Sequence, residues 1–473
     1  MRISPTSVSV ALAQPAPSAA QLSKPANLRD GDVHAETGNA VEVNKGGFFL
    51  NRGRITTADS SSFKQSHNGI SVGGTGGTLM NLGYISGGSN GIKTTHDAVL
   101  LNMGEITGRK GAGLKSKGDA TILNYGVITG ADTRRPYQDD GDGDGLDIDR
   151  IAHIHNYGVI KGTGANGKDK GGIPNSSEGI AMGGGAIFNH RNALISGVHH
   201  GILVDNGDLG DAYGDTRLNN QGKLLGLNGY GVKLNGDFDD FIINGGLIAG
   251  GNGIALDMGG GNDLLMLERA SRFDGTVDGG SGINQVILND PDGGQFDGAK
   301  QMQHLWVAAG TWTLTGTVDA NTQGQVYDGA TLINRSRIGG SMKIEPAGTY
   351  TGGTVGNLTV AGTLLSDPQA STRIENDLKM KHSSSLICNI GADETHSTLT
   401  VGNTAALGGA TLNIEVQHES DALLNRQLRI VNAKRVEGEF GSITSNLKAF
   451  TPELIYTATG AFVAFKRKNA AVV

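Results

Sequence analysis

Apolar and polar positions alternate along most of this chain in short runs. Around Tyr84, Ile85 and Ser86, and again around Gly91, Ile92 and Lys93, the side chains change character at every step before glycine or asparagine intervenes. That is the period-2 spacing of short strands separated by corners. No window holds a 3.6-residue apolar stripe, so helices are expected to be few. The strands belong to a repeat. Asn-x-Gly-x-Ile/Leu-x-Gly runs from Asn81 to Gly87, Asn102 to Gly108, Asn124 to Gly130, Asn156 to Gly162, Asn220 to Gly226 and Asn244 to Gly250. A second motif, x-Gly-Ile/Leu/Val, falls between copies at Asn68, Asn90, Tyr230 and Asn252, and Asn68 to Asn90 or Tyr230 to Asn252 spans about 22 residues.

A fixed period of this size signals stacked coils. Glycine supplies corners, and asparagine tolerates the same backbone region while its amide can bond to the amide one coil away. Parallel pairing between coils would bury a narrow core of Ile, Leu and Val. The expected fold is all-β: a right-handed parallel β-helix, its hand set by the usual crossover rule, with a C-terminal β capping module. Residues 1–35 read as a disordered leader and 36–300 as the regular solenoid. Residues 301–370 continue it with longer strands, 371–465 read as the cap, and 466–473 as a tail. Insertions are expected near 131–143, 162–175 and 207–215, where the motif spacing lengthens.

Composition narrows the function. The chain has 473 residues, 77 of them glycine, and only 5% aromatic side chains. A thin solenoid core accepts that, whereas a globular enzyme of this length wants more large apolar residues. A net charge of −7 disfavours nucleic acid as a partner. The single cysteine, Cys388, excludes an internal disulfide. No apolar run reaches the ~18 residues of a membrane span, so stable membrane insertion is not expected. Residues 1–29 contain no acid and are rich in Ser, Ala and Pro.

Three stretches carry a family resemblance: the Asn-x-Gly-x-Ile-x-Gly coils, the segment from Gly310 through Trp312 to Gly316, and the segment from Gly353 through Asn357 to Leu364. Together with the run from Leu399 to Leu412, they resemble the passenger region of bacterial autotransporters (type V secretion), over roughly residues 40–465. The resemblance implies a secreted or cell-surface, pertactin-like β-helix acting as an adhesin or virulence-associated scaffold toward a glycan or host-surface ligand, expected as a monomer. The family's N-terminal export signal and C-terminal outer-membrane barrel are not found in this sequence. That leaves another export route or a truncated chain. The acid-free leader, in turn, resembles those of type III secreted effectors, which implies delivery into a host cell as an alternative.

Three groups of residues are candidates for chemistry. The run from Asp139 to Asp149 places Asp140, Asp142 and Asp144 as in the opening of an EF-hand loop, but Ile151 stands where that loop has its bidentate glutamate. Calcium is the only cofactor this implies, and a solvated acidic insertion is the alternative. Gly259 to Leu265 and Asp278 to Val286 resemble the calcium-binding nonapeptides of β-roll toxins. Their separation is one whole coil, so they read as corners.

The third group comes from reading down one column. The residue before the x-Gly-φ glycine is Asn68, Asn90, Ala112, Asp144, Glu178, His200, Tyr230 and Asn252. Equivalent positions on adjacent coils lie about 5 Å apart, so Asp144, Glu178 and His200 should stack as an ionisable ladder, with Asp147 and His199 beside it. Carboxylates at such spacings serve glycoside hydrolysis. The phrases at Asp144, Asp147, His199 and His200 resemble those of polygalacturonases, a pectin-lyase-like family, although its paired aspartates are replaced by Ser177 and Glu178. A polysaccharide-active enzyme using Asp144, Asp147, Glu178 and His200 is therefore the alternative to an adhesin. It requires the ladder to line a groove walled by the insertions.

Overall fold

The computed structural model describes residues 26–44, 47–59, 66–74, 77–132, 142–165, 168, 175–207, 210–319, 321–391 and 395–468. They form a parallel β-helix whose coils divide into two compact units: residues 1–265 with 270–282, and residues 266–269 with 283–473.

In the first unit each coil lays down up to three strands. One coil runs Ala98–Asn102, Glu105–Gly108 and Leu114–Ser116. The next sets Ala120–Asn124 against the first and Val127–Asp132 against the second, all parallel. The alternation of the sequence becomes the alternation of burial. Ile55, Ile85, Ile106, Ile128, Ile160, Ile195, Leu224 and Ile248 form one fully buried column. Leu79, Leu100, Ile122, Ile154, Ile187, Leu218 and Ile242 form a second. Each column is one position of the repeat read through successive coils, as the registers Ile106↔Ile128 and Leu100↔Ile122 show.

The motif asparagines form the ladder that the repeat implies. Nδ2 of Asn51 donates to Oδ1 of Asn81, and the pattern continues through Asn102, Asn124, Asn156, Asn189, Asn220 and Asn244 at 2.8–3.0 Å. Asn244 donates to Ser271 Oγ at 2.8 Å, which ends the run. Asn51 and Asn189 belong to it although they stand outside intact copies of the motif. The sequence separations between rungs are 21, 22, 32, 33, 31 and 24 residues from Asn81 onward. Inserted residues are therefore looped out without disturbing the register.

In the second unit an 8-stranded parallel sheet begins at Gly294–Phe296 and ends at Ser442–Ser445. Larger side chains fill its interior. Trp312, Tyr350 and Phe296 are fully buried. Trp312 Nε1 donates to Ala309 O at 2.9 Å, and Tyr350 Oη accepts from Asn334 Nδ2 at 2.9 Å.

Three expectations need correction. Residues 26–35 belong to the coils and not to a disordered leader: Ala26–Arg29 pairs in parallel with Phe48–Asn51, and Val33–Ala35 with Arg54–Thr57, while residues 1–25 lie outside the described residues. The parallel coils continue well past residue 371, to the pairing of Thr411–Val416 with Ser442–Ser445. The C-terminal strands Gln427–Asn432, Gly460–Arg467 and Phe450–Thr457 pair antiparallel, a meander that covers strand edges and buries Phe450, Val463 and Phe465. Finally, Asn252 does not belong to the column that holds Tyr230. The long strand Leu247–Asp257 carries a bulge, and Ile254 is the residue whose carbonyl accepts from Gly231. Asn252 thus matches the 22-residue spacing without occupying the position. Among the described residues, no helix is long and apolar enough to cross a membrane.

Candidate functional site

Asp144, Glu178 and His200 do stand on successive coils, as the column reading expects. Each lies against a glycine of the strand before it. Gly130, Gly162 and Gly197 pack so tightly on the carbonyls of Asp144, Glu178 and His200 that any Cβ there would collide with them. The three corners are thereby pressed onto the preceding strands, and the side chains turn along the stack.

What the column does is cap backbone. Asn68 N–H donates to Asn39 Oδ1, Asn90 N–H to Asn68 Oδ1, and Ala112 N–H to Asn90 Oδ1, at 2.9–3.3 Å. The same bond links Glu178 N–H to Asp144 Oδ1 at 2.7 Å, and Tyr230 N–H to His200 Nδ1 at 3.0 Å. His199 does likewise one place earlier, accepting from Ser177 N–H at 3.0 Å. Any side chain with an acceptor at this reach satisfies a corner N–H that no strand partner takes. Asparagine, aspartate and a histidine Nδ1 are interchangeable for that purpose.

Glu178 is one methylene too long for the pattern. Its Oε2 accepts from Ser176 Oγ at 2.8 Å, and its Oε1 is buried with no hydrogen-bond partner. Asp144 and Glu178 are 2% and 1% exposed. Burial, then the facing Glu178 carboxylate, pushes the Asp144 carboxyl well above its ordinary value. Burial also lifts Glu178 to about 7 against the opposing hydrogen bonds of Asp144 and Ser176. Both shifts disfavour the charged forms of the pair. His200 moves the other way: burial first, then Lys233 and His199, lowers it to about 4, so its ring is neutral. Its ring meets Tyr230 edge-on at 5.3 Å.

Asp147 is not part of this ladder. It points outward from Leu146–Ile148, in register with Lys115, whose Nζ lies 2.5 Å from its Oδ2. The ion pair with Asp147 raises the Lys115 pKa. The candidate calcium ligands are similarly occupied. Asp142 Oδ1 accepts from Ser176 N–H at 3.1 Å, and Asp144 Oδ1 from Glu178 N–H. Asp140 lies outside the described residues. Among those described, no three His, Cys, Asp or Glu side chains are arranged to hold a metal ion. The second glycine-rich segment is a corner: Asp263 Oδ1 accepts from Asp240 N–H at 2.8 Å, and Asp239 Oδ1 from Asn262 N–H at 2.7 Å. The insertions at 131–143 and 162–175 fall largely outside the described residues.

A feature missed in the sequence lies one residue beyond the asparagine ladder. The residues following Asn81, Asn102, Asn124 and Asn156 are Leu82, Met103, Tyr125 and Tyr157, which are 38%, 54%, 49% and 42% exposed. Tyr125 and Tyr157 stack at 4.6 Å, and Tyr157 stacks on His190, which follows Asn189, at 3.7 Å. Met80, Leu101 and Leu123 face outward on the adjoining strands, part-exposed. The column is visible in the sequence one residue after each motif asparagine, because its apolar character breaks the polar-outward rule on four consecutive coils.

No protein-family model matches this chain, and no curated protein matches it either.

Proposed function

We propose that the chain is an interaction scaffold: a secreted or surface-exposed, passenger-like β-helix whose outer face contacts a glycan or host-surface ligand. The exposed column of Leu82, Met103, Tyr125 and Tyr157, continued by His190, carries this reading. Contiguous apolar surface on a solvated face is the mark of a contact site. The tyrosine rings add polar tips, which suit a partner with both apolar and hydroxyl-rich surfaces. Repetition over adjacent coils suits a repetitive, multivalent partner.

One observation favours the enzyme reading. A carboxyl near pH 7, as at Glu178, is what a general acid needs. Against it, both carboxyls are buried, Asp144 Oδ1 is taken by the Glu178 backbone N–H and Glu178 Oε2 by the Ser176 hydroxyl, so a glycosidic oxygen has no route to them in this conformation. That reading stands second. Binding of the purified chain to a panel of glycans and cell surfaces, with and without Tyr125→Ser and Tyr157→Ser, tests the scaffold. Binding that survives the double variant would remove the column from the account. Hydrolysis or elimination of a polysaccharide, lost in Glu178→Gln, would reverse the ranking.

A further inference from the structure

The strand Ala152–Asn156 reads Ala, His, Ile, His, Asn, and its alternation turns His153 and His155 outward. On the next coil the strand Gly185–Asn189 pairs with it, His153 beside Ala186 and His155 beside Phe188, and His190 follows at the corner. His155 Nδ1 and His190 Nε2 face each other at 3.3 Å. Both rings are held. His155 stacks on Phe188 at 4.5 Å with 7° between planes, and His190 on Tyr157 at 3.7 Å with 8°.

We propose that His155 and His190 form a two-imidazole site for a borderline divalent transition-metal ion of the zinc or copper class. Two imidazole nitrogens bound to one ion at 2.0–2.1 Å in tetrahedral geometry stand about 3.3 Å apart, the separation already present between these two rings. Ligation needs neutral imidazole. Stacking on Phe188 and Tyr157 does the orienting that outer partners usually provide at a metal ligand. The donor set is nitrogen, which suits Cu²⁺, Ni²⁺ and Zn²⁺ and gives Ca²⁺ and Mg²⁺ nothing to bind. Since no three such side chains converge among the described residues, water or a donor from a binding partner fills the remaining positions. The ion would clip one coil to the next on the aromatic column. The site is independent of the scaffold reading and would exist in an enzyme as well.

Calorimetric titration of the full chain with Cu²⁺, Zn²⁺ and Ca²⁺ tests it. The expected result is one saturable site for Cu²⁺ and Zn²⁺ and none for Ca²⁺. That site should be lost in His155→Gln and in His190→Gln, and unchanged in the controls His153→Gln and His304→Gln. Electron paramagnetic resonance of the Cu²⁺ form should show two nitrogen ligands, falling to one in either single variant. Should a variant misfold, zinc protection of His155 and His190 from diethyl pyrocarbonate in the unaltered chain replaces it, read by mass spectrometry. Absence of saturable binding, full binding in both single variants, or no protection would each overturn the proposal.

Discussion

The backbone N–H of Glu178 donates to the Asp144 carboxylate at 2.7 Å, in the position where Asn90 N–H meets the Asn68 amide three coils earlier. An acid in this column does the work of an amide, but brings a charge that the corner does not solvate. Asp144→Asn should therefore keep the cap and remove the charge. Its thermal midpoint at pH 7.5 is expected at or above that of the unaltered chain. Asp144→Ala should cost about 1–3 kcal/mol, the penalty of leaving a buried N–H unmet. Chemical denaturation of the two variants side by side decides this, and equal stabilities would mean the bond is not used.

Acidity should stabilise the fold. Burial raises Asp240 to about 7 and Asp263 to about 8, in each case against a backbone hydrogen bond, and Glu178 lies at about 7. In the unfolded chain these groups titrate near 4. At these three carboxyls the folded state binds more protons than the unfolded state between pH ~4 and ~8, so their contribution falls as pH rises. It is full below the unfolded value and lost as pH passes through 7–8; below pH ~6.5 the lowered pKa of His200 acts with the opposite sign. Urea midpoints at pH 7.0 and 8.5, where the histidines are neutral in both states, should decline in that order. The slope should shrink in Asp263→Asn, whereas a midpoint that climbs with pH would contradict the assignment.

Interrupting the asparagine spine should be costly. Asn124 accepts from Asn102 and donates to Asn156, Gly126 O and Val159 O. Asn124→Ala strands a buried donor on Asn102 and acceptors on Asn156 and the backbone. A loss of about 3 kcal/mol is expected, from one fully unmet group and partial loss at the others. Because coils contact mainly their neighbours, amide exchange should quicken first in the strands around residues 98–130.

The exposed column should be separable from stability. Tyr125→Ser and Tyr157→Ser remove side chains that are about half in solvent, so each thermal midpoint should move by little, within about 0.5 kcal/mol plus the stacking of one ring pair. Binding to whichever ligand the glycan panel selects should fall in both.

Much of the fold was legible because a solenoid writes one coil's constraints into every coil. The apolar alternation and the recurring asparagine fix strand direction, spacing and the inward face. Asp144, Glu178 and His200 were legible as neighbours for the same reason. Their burial was not. Asparagine serves equally in a solvated turn and in a buried cap, so Asn68 and Asn90 do not reveal which way their column faces. The pairing of Asp147 with Lys115 needed the register across an insertion. The shift from Asn252 to Ile254 needed the bulge. The column of Leu82, Met103 and Tyr125 is written in the sequence one residue after each motif asparagine, but single exposed apolar residues are ordinary on a surface and only the register shows that these are contiguous.

Every rung of the asparagine spine donates in the same direction, from Asn51 through to the Ser271 hydroxyl. A coil therefore offers an acceptor behind and a donor ahead, whatever its length. Excising one whole period, such as Met103 to Asn124, would leave Asn102 facing Asn156 with nothing unmatched, whereas a fragment of a period would leave a buried amide without its mate. The chain is thus built to change length by complete turns, so duplication and loss of coils, more than point substitution, is the variation its architecture tolerates most readily.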